Sequence, residues 1–143
     1  MPQIDMERRI CIRFEIPGAT LSYKTKKFFS QKGAYQEEFC PVADISRGGL
    51  RFLSRSQPKL NTSLLVKIAI PGEQIPLLLK GVIRWIGRHA GSIYSTQIGV
   101  QFNPYGDENK EQNYPGALVK IIALEQKFAP DDTLSYDSDP SKR

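Results

Sequence analysis

The sequence predicts a mainly β fold, a small antiparallel barrel of about six or seven short strands followed by one helix. Three observations lead there. Apolar and polar residues alternate over short runs, the period of a strand with one face in a core. Pro-Gly and Gly-Gly pairs punctuate those runs. After residue 115 the apolar spacing changes to three and four, the period of an amphipathic helix.

Arg9 to Ile16 comes first. Ile10, Ile12, Phe14 and Ile16 alternate with Arg9, Cys11, Arg13 and Glu15, which predicts a half-buried strand. Pro17-Gly18 turns the chain, and Ala19 to Tyr23 follows as a second strand. Lys24 to Glu38, rich in Lys, Gln and Gly, reads as a loop or ragged hairpin. Phe39 to Ile45 is strand-like and is broken by Gly48-Gly49; Leu50 to Leu53 resumes the pattern. After a turn at Pro58 to Thr62, Leu64, Val66, Ile68 and Ile70 keep one phase through a further strand. The run Ile75 to Ile86 slips phase near Gly81, which predicts a bulge or barrel corner there. Tyr94 to Phe102 is the last strand, with Ile98, Val100 and Phe102 on one face. From Pro115 to Phe128, the residues Ala117, Leu118, Ile121, Ile122, Leu124 and Phe128 build the apolar face of a helix, with Pro115 suited to its first turn. Residues 1–128 are expected to form one barrel domain with an arginine-bearing N-terminal arm. Residues 129–143 read as a disordered acidic and polar tail.

Composition narrows the function. The chain has 143 residues, 40% of them hydrophobic, enough to bury a core without staples. Its 20 basic and 15 acidic residues leave a formal charge of +5, which suits an anionic partner. No apolar run approaches the ~20 residues of a membrane span. Met1 to Glu7 has no apolar signal region. Cys11 and Cys40 are too few for a disulfide framework and are expected to be reduced, placing the protein in the cytoplasm. With one histidine and two cysteines, a structural zinc site is not expected. There is no Ser-His-Asp arrangement and no phosphate-cradling Gly-rich loop, so neither an enzyme nor a cofactor is expected.

Two short stretches carry chemistry. The first is Arg8-Arg9-Ile10-Cys11-Ile12-Arg13, and the second is Asp44-Ile45-Ser46-Arg47-Gly48-Gly49. Arginine presents a permanently charged fork that meets phosphate oxygens, or the O6/N7 edge of guanine, with paired hydrogen bonds. On a straight strand the Cα atoms of Arg9 and Arg13 would lie about 13 Å apart. That is too far for one phosphate and suits the spread of a nucleotide dimer. Asp44 can accept from guanine N–H groups, and Ser46 can donate or accept. Gly48 and Gly49 permit strained backbone and close approach of a ligand. Each stretch alone is also ordinary surface or turn composition.

Together and in this order, the stretches resemble the PilZ domain family. Arg9 and Arg13 match an Arg-x-x-x-Arg pattern, and Asp44, Ser46 and Gly49 match Asp/Asn-x-Ser-x-x-Gly. Gly81-Val82-Ile83-Arg84-Trp85 and Ile98-Gly99-Val100-Gln101-Phe102 resemble the late strands of the family, so the likeness runs over about residues 6 to 128. The resemblance implies a six-stranded antiparallel, split β-barrel with a C-terminal helix. It implies a receptor for cyclic diguanylate that relays to a downstream protein, with Arg8, Arg9, Arg13, Asp44, Ser46, Gly48 and Gly49 as the ligand site. It also implies that Arg8 influences whether one or two stacked ligands bind. The chain departs from the pattern in the long stretch Ala19 to Glu38.

Other residues carry weaker signals. Trp85 reads first as core or barrel end, and second as a base-stacking surface. His89 reads as a surface residue, and Lys24, Lys26 and Lys27 beside Phe28 and Phe29 as a solvated hairpin or a partner surface. Arg47 and Arg51 add to the positive field or to solubility. Two alternatives stay open: an interaction adaptor that does not need the nucleotide, and a single-strand nucleic-acid binder.

Overall fold

The computed structural model describes residues 12–25, 35–91 and 93–130. Arg8, Arg9 and Cys11, the cluster Lys26, Lys27, Phe28 and Phe29, and the expected tail from residue 131 lie outside these residues.

Six strands close into one barrel: β1 (Thr20–Thr25), β2 (Glu37–Ile45), β3 (Gly49–Ser54), β4 (Ser63–Ala69), β5 (Leu77–Arg88) and β6 (Thr96–Phe102). Their order around the barrel is β1-β2-β3-β6-β5-β4, with every neighbouring pair antiparallel. The period-2 pattern does what strand geometry requires. Leu21 and Tyr23, Leu50 and Phe52, Leu64, Val66 and Ile68, Leu77 and Leu79, and Ile98 and Val100 point inward and are buried. The rings of Tyr23 and Phe52 meet inside at 5.4 Å.

Helix α1 (Pro115–Phe128) caps one end of this barrel, burying Ala117, Ile121, Leu124 and Glu125. Pro115 stands in its first turn, where a missing N–H costs nothing. Its entry is held by Asn113. That buried amide accepts from the Lys80 N–H at 2.7 Å and donates to the carbonyls of Lys80 and Asn103 at 2.9 and 3.0 Å.

Two expectations need correction. Arg9 to Ile16 is not a strand in its described part. Phe14 forms an isolated bridge to Ile45, with Phe14 N–H donating at 3.0 Å and Ile45 N–H at 2.9 Å. β1 already pairs with β2 as far as Pro41, so the edge of β2 near its end leaves room for a single bridge. The alternation itself holds: Phe14 and Ile16 are buried, Arg13 and Glu15 exposed. The irregularity of β5 lies between Ile83 and Trp85, not at Gly81. Gly81 serves close approach instead, since a Cβ there would stand 2.6 Å from Val100 Cγ1 and 2.7 Å from the Gln101 carbonyl oxygen.

Candidate functional site

The chain leaves β2 and enters β3 through a tight turn, Ser46 to Gly49. The Ser46 N–H donates to the Gly49 carbonyl at 2.8 Å. The Ser46 hydroxyl donates to the same carbonyl and accepts from the Gly48 N–H, both at 3.3 Å. Its oxygen is therefore spent on shaping the turn. Among the described residues the glycines with positive φ are Gly18 and Gly72, so Gly48 and Gly49 are not chosen for left-handed backbone. Gly49 is there for proximity. A Cβ on it would stand 2.2 Å from the Val100 carbonyl oxygen of β6.

Just before the turn, the nearly buried Asp44 carboxylate collects two arginines. Arg13 Nη1 donates to Oδ1 at 2.8 Å across the Phe14–Ile45 bridge. Arg51, the Cα partner of Asp44 on β3, donates from Nε to Oδ2 at 2.9 Å, and its Nη2 meets the same oxygen. The hydrogen bond to Asp44 outweighs burial and raises the Arg51 pKa above its ordinary value. Three of the roughly four lone-pair sites of the carboxylate are used, and both arginines keep N–H donors on an open face. The side chains of Arg13 and Arg51 are 56% and 41% exposed, so those donors remain accessible to a ligand.

The same row continues around the barrel. Arg51 pairs with Gly99 on β6, and Gly99 with Trp85 on β5. With strands about 4.8 Å apart, the Trp85 backbone lies about 10 Å from that of Arg51. The indole rests against the outer face over Gly87, where an added Cβ would stand 2.6 Å from the ring, and its base borders Gly99, where an added Cβ would stand 3.2 Å from the Trp85 Cβ and 3.6 Å from the ring. At 47% exposure Trp85 is not core, which corrects the first reading of this residue. The irregularity after Ile83 reverses the phase, so both Arg84 and Trp85 face outward. Gly99 thus leaves a flat floor between a guanidinium and an indole.

Of the sequence-derived residues, the structure brings Arg13, Asp44, Ser46, Gly48 and Gly49 to one corner of the barrel. Arg51, Gly99 and Trp85 extend that corner into a face. The strand alternation at Leu50 to Leu53 already pointed Arg51 outward, but its register with Asp44 is a tertiary fact. A second link was not foreseen. Arg47 in the turn reaches Glu125 of α1 at 3.0 and 3.1 Å, and Tyr105 donates its hydroxyl to the Arg47 carbonyl at 2.7 Å.

The opposite end of the barrel carries a separate polar knot. Burial alone would push the Glu37 pKa up. The Ser54 hydroxyl at 2.5 Å, the Arg55 N–H at 2.8 Å and the Arg55 guanidinium outweigh that and hold it below the carboxylate value. Cys40 is pushed up to about 12 by burial and then by the nearby Glu37 charge. Among the described residues no group of His, Cys, Asp and Glu is placed to hold a metal ion, and no helix is long and apolar enough to cross a membrane.

Known proteins bear on this geometry. The family model of the PilZ domain matches residues 7–113. Among solved structures, the Bacillus subtilis inhibitor of motility (MotI/DgrA) superposes with a TM-score of 0.58 at 15% identity. The match covers 82% of this chain and 48% of that one, so this chain spans about half that protein's length and shares its fold. No curated protein matches. The matched segment begins before Arg13 and runs through Asp44, Arg51 and Trp85 to the threshold of α1, so the chain belongs to the PilZ domain family.

Proposed function

We propose that this protein is a cytoplasmic receptor for cyclic diguanylate, and that the face running from Arg13 through Asp44, Arg51 and Gly99 to Trp85 is its binding surface. The family comprises cyclic diguanylate-binding effectors in general, domains that bind and relay rather than catalyse. The observation that carries the reading is Asp44 held between Arg13 and Arg51. One carboxylate orients two guanidinium groups and keeps acceptor capacity for a guanine N–H. The two arginines keep donors for phosphate oxygens.

In this reading Arg8 and Arg9 add charge from the N-terminal side, and the exposed Gly48 lets the ligand approach the turn, while the buried Gly49 keeps β3 close against β6. Ser46 holds that turn in shape. A guanine laid on Gly99 stacks against Trp85, a contact worth about 1–3 kcal/mol per base. The bound ligand then biases the position of the arm, and so the surface offered to a downstream protein, by its differential affinity for the two arrangements.

Calorimetric titration of the full chain with cyclic diguanylate tests the reading. Saturable heat is expected, and Arg13→Ala, Asp44→Ala and Arg51→Ala should each weaken binding about tenfold or more. No heat from the unaltered protein, or equal affinity in all three variants, removes it.

A further inference from the structure

Between the β4–β5 turn and α1 lies a groove that the nucleotide face does not use. Ile70, Ile75, Leu77, Ala123 and Leu124 form an apolar floor around a cavity of about 170 Å³. A dry apolar cavity of about 150 Å³ accepts a benzene-sized group, so this one suits a single bulky side chain. Ile75 is 71% exposed at its lip. Val119, 66% exposed, stands one helical turn before Ala123 and extends the apolar strip. The polar rim is lysine-rich: Lys120 and Lys127 on the helix face Glu73 on the turn. The Lys127 ammonium lies 5.2 Å from the centre of the Phe128 ring, within reach of a cation–π contact. The helix side of the groove is therefore positive, and the floor is apolar.

We propose that this groove docks an acidic segment of the downstream protein, one large aliphatic or aromatic side chain entering the cavity while flanking carboxylates meet Lys120 and Lys127. The proposal rests on the reading of this protein as a receptor that relays to a partner. Charge complementarity selects the occupant: Lys120 and Lys127 outnumber Glu73 on the rim, so an apolar anchor alone would fill the floor and leave the helix lysines unused, and a basic segment would meet net repulsion. The groove is also wired to the nucleotide face. Leu124 on its floor precedes Glu125, whose carboxylate grips Arg47 in the Ser46–Gly49 turn. A ligand that moves the turn moves the helix side of the groove, and by linkage the docked segment acts back on the nucleotide.

The test is selection from a random twelve-residue peptide library on the full chain, with and without cyclic diguanylate. The expected consensus is one bulky apolar residue flanked by Asp or Glu. A synthetic consensus peptide, followed by fluorescence anisotropy, should lose about tenfold or more affinity to Lys120→Glu/Lys127→Glu and to Ile75→Ser, a variant outside the helix. Both variants should keep their circular dichroism and their calorimetric nucleotide binding. A basic or purely apolar consensus, no enrichment, or unchanged affinity in both variants overturns the proposal. So does equally tight binding of a synthetic peptide of residues 131–143, which would hand the groove to the chain's own tail. Peptide docking without any nucleotide heat would overturn the receptor reading and leave the groove standing.

Discussion

Arg47 Nε and Nη2 donate to the two carboxylate oxygens of Glu125 at 3.0 and 3.1 Å, joining positions 78 residues apart. The Glu125 side chain is 8% exposed and that of Arg47 34%. Removing Arg47 therefore leaves a buried carboxylate short of its donors. Arg47→Ala should lower stability by about 1–3 kcal/mol, the range for hydrogen bonds to charged groups, and Glu125→Gln by less. Urea denaturation of both variants measures this. Unaltered midpoints would mean that α1 is held by its apolar face alone.

Gly49 makes a different kind of contribution. With its absent Cβ placed 2.2 Å from a backbone oxygen, even alanine forces β3 and β6 apart. Gly49→Ala should cost about 1–3 kcal/mol, as overpacking typically does. The loss should appear without ligand, in a thermal or urea melt. A neutral result would show that the β3–β6 spacing is softer than its geometry implies.

At the far end of the barrel Glu37 contributes to the acid limb of stability. Its folded pKa lies below the ordinary value of 4.5, so the folded state binds its proton less readily than the unfolded chain. The stabilisation is complete above the unfolded pKa and is lost as pH falls through the lower folded value. Urea midpoints measured between about pH 7 and pH 3 should drop on the acid side, and Glu37→Gln should flatten that drop. An identical acid limb in the variant would assign it to other carboxylates.

Cys40 should be chemically silent in the folded protein. Its thiol is fully buried and its pKa is raised from 9.0 to about 12 by burial and by Glu37. Only the thiolate is an effective nucleophile. At about pH 9 a Cys11→Ser variant should react with a disulfide reagent far more slowly when folded than in urea. Equal rates would place Cys40 at the surface.

Much of the barrel was legible because strand alternation is a local signal: Leu64, Val66 and Ile68, or Ile98, Val100 and Phe102, reveal their inward face within a few residues. The helix was legible for the same reason, and Pro115 marked its first turn. What stayed hidden depends on neighbours distant in sequence. Arg13 looked like part of a strand, because its alternation is real while its pairing is limited by an edge of β2 that β1 already occupies as far as Pro41. Phe39 stands exposed with φ of 60°, a backbone conformation its residue type does not announce. Gly81 read as a bulge and is a close approach, whereas the irregularity near Arg84 has no glycine to mark it. For the candidate site, the two stretches named Arg13 and Asp44, but register alone places Arg51 on Asp44 and Trp85 beyond Gly99.

Binding on the face from Arg13 to Trp85 is a matter of place on the molecule, and a measurement that locates the ligand tests it. Amide correlation spectra of the isotope-labelled full chain should be recorded during titration with cyclic diguanylate. The largest shifts are expected at Asp44, Ser46, Gly48, Arg51 and Gly99, together with the indole N–H of Trp85, the sole tryptophan. Shifts confined to the Glu37 end of the barrel, or none at saturating ligand, would rule out this face as the binding surface.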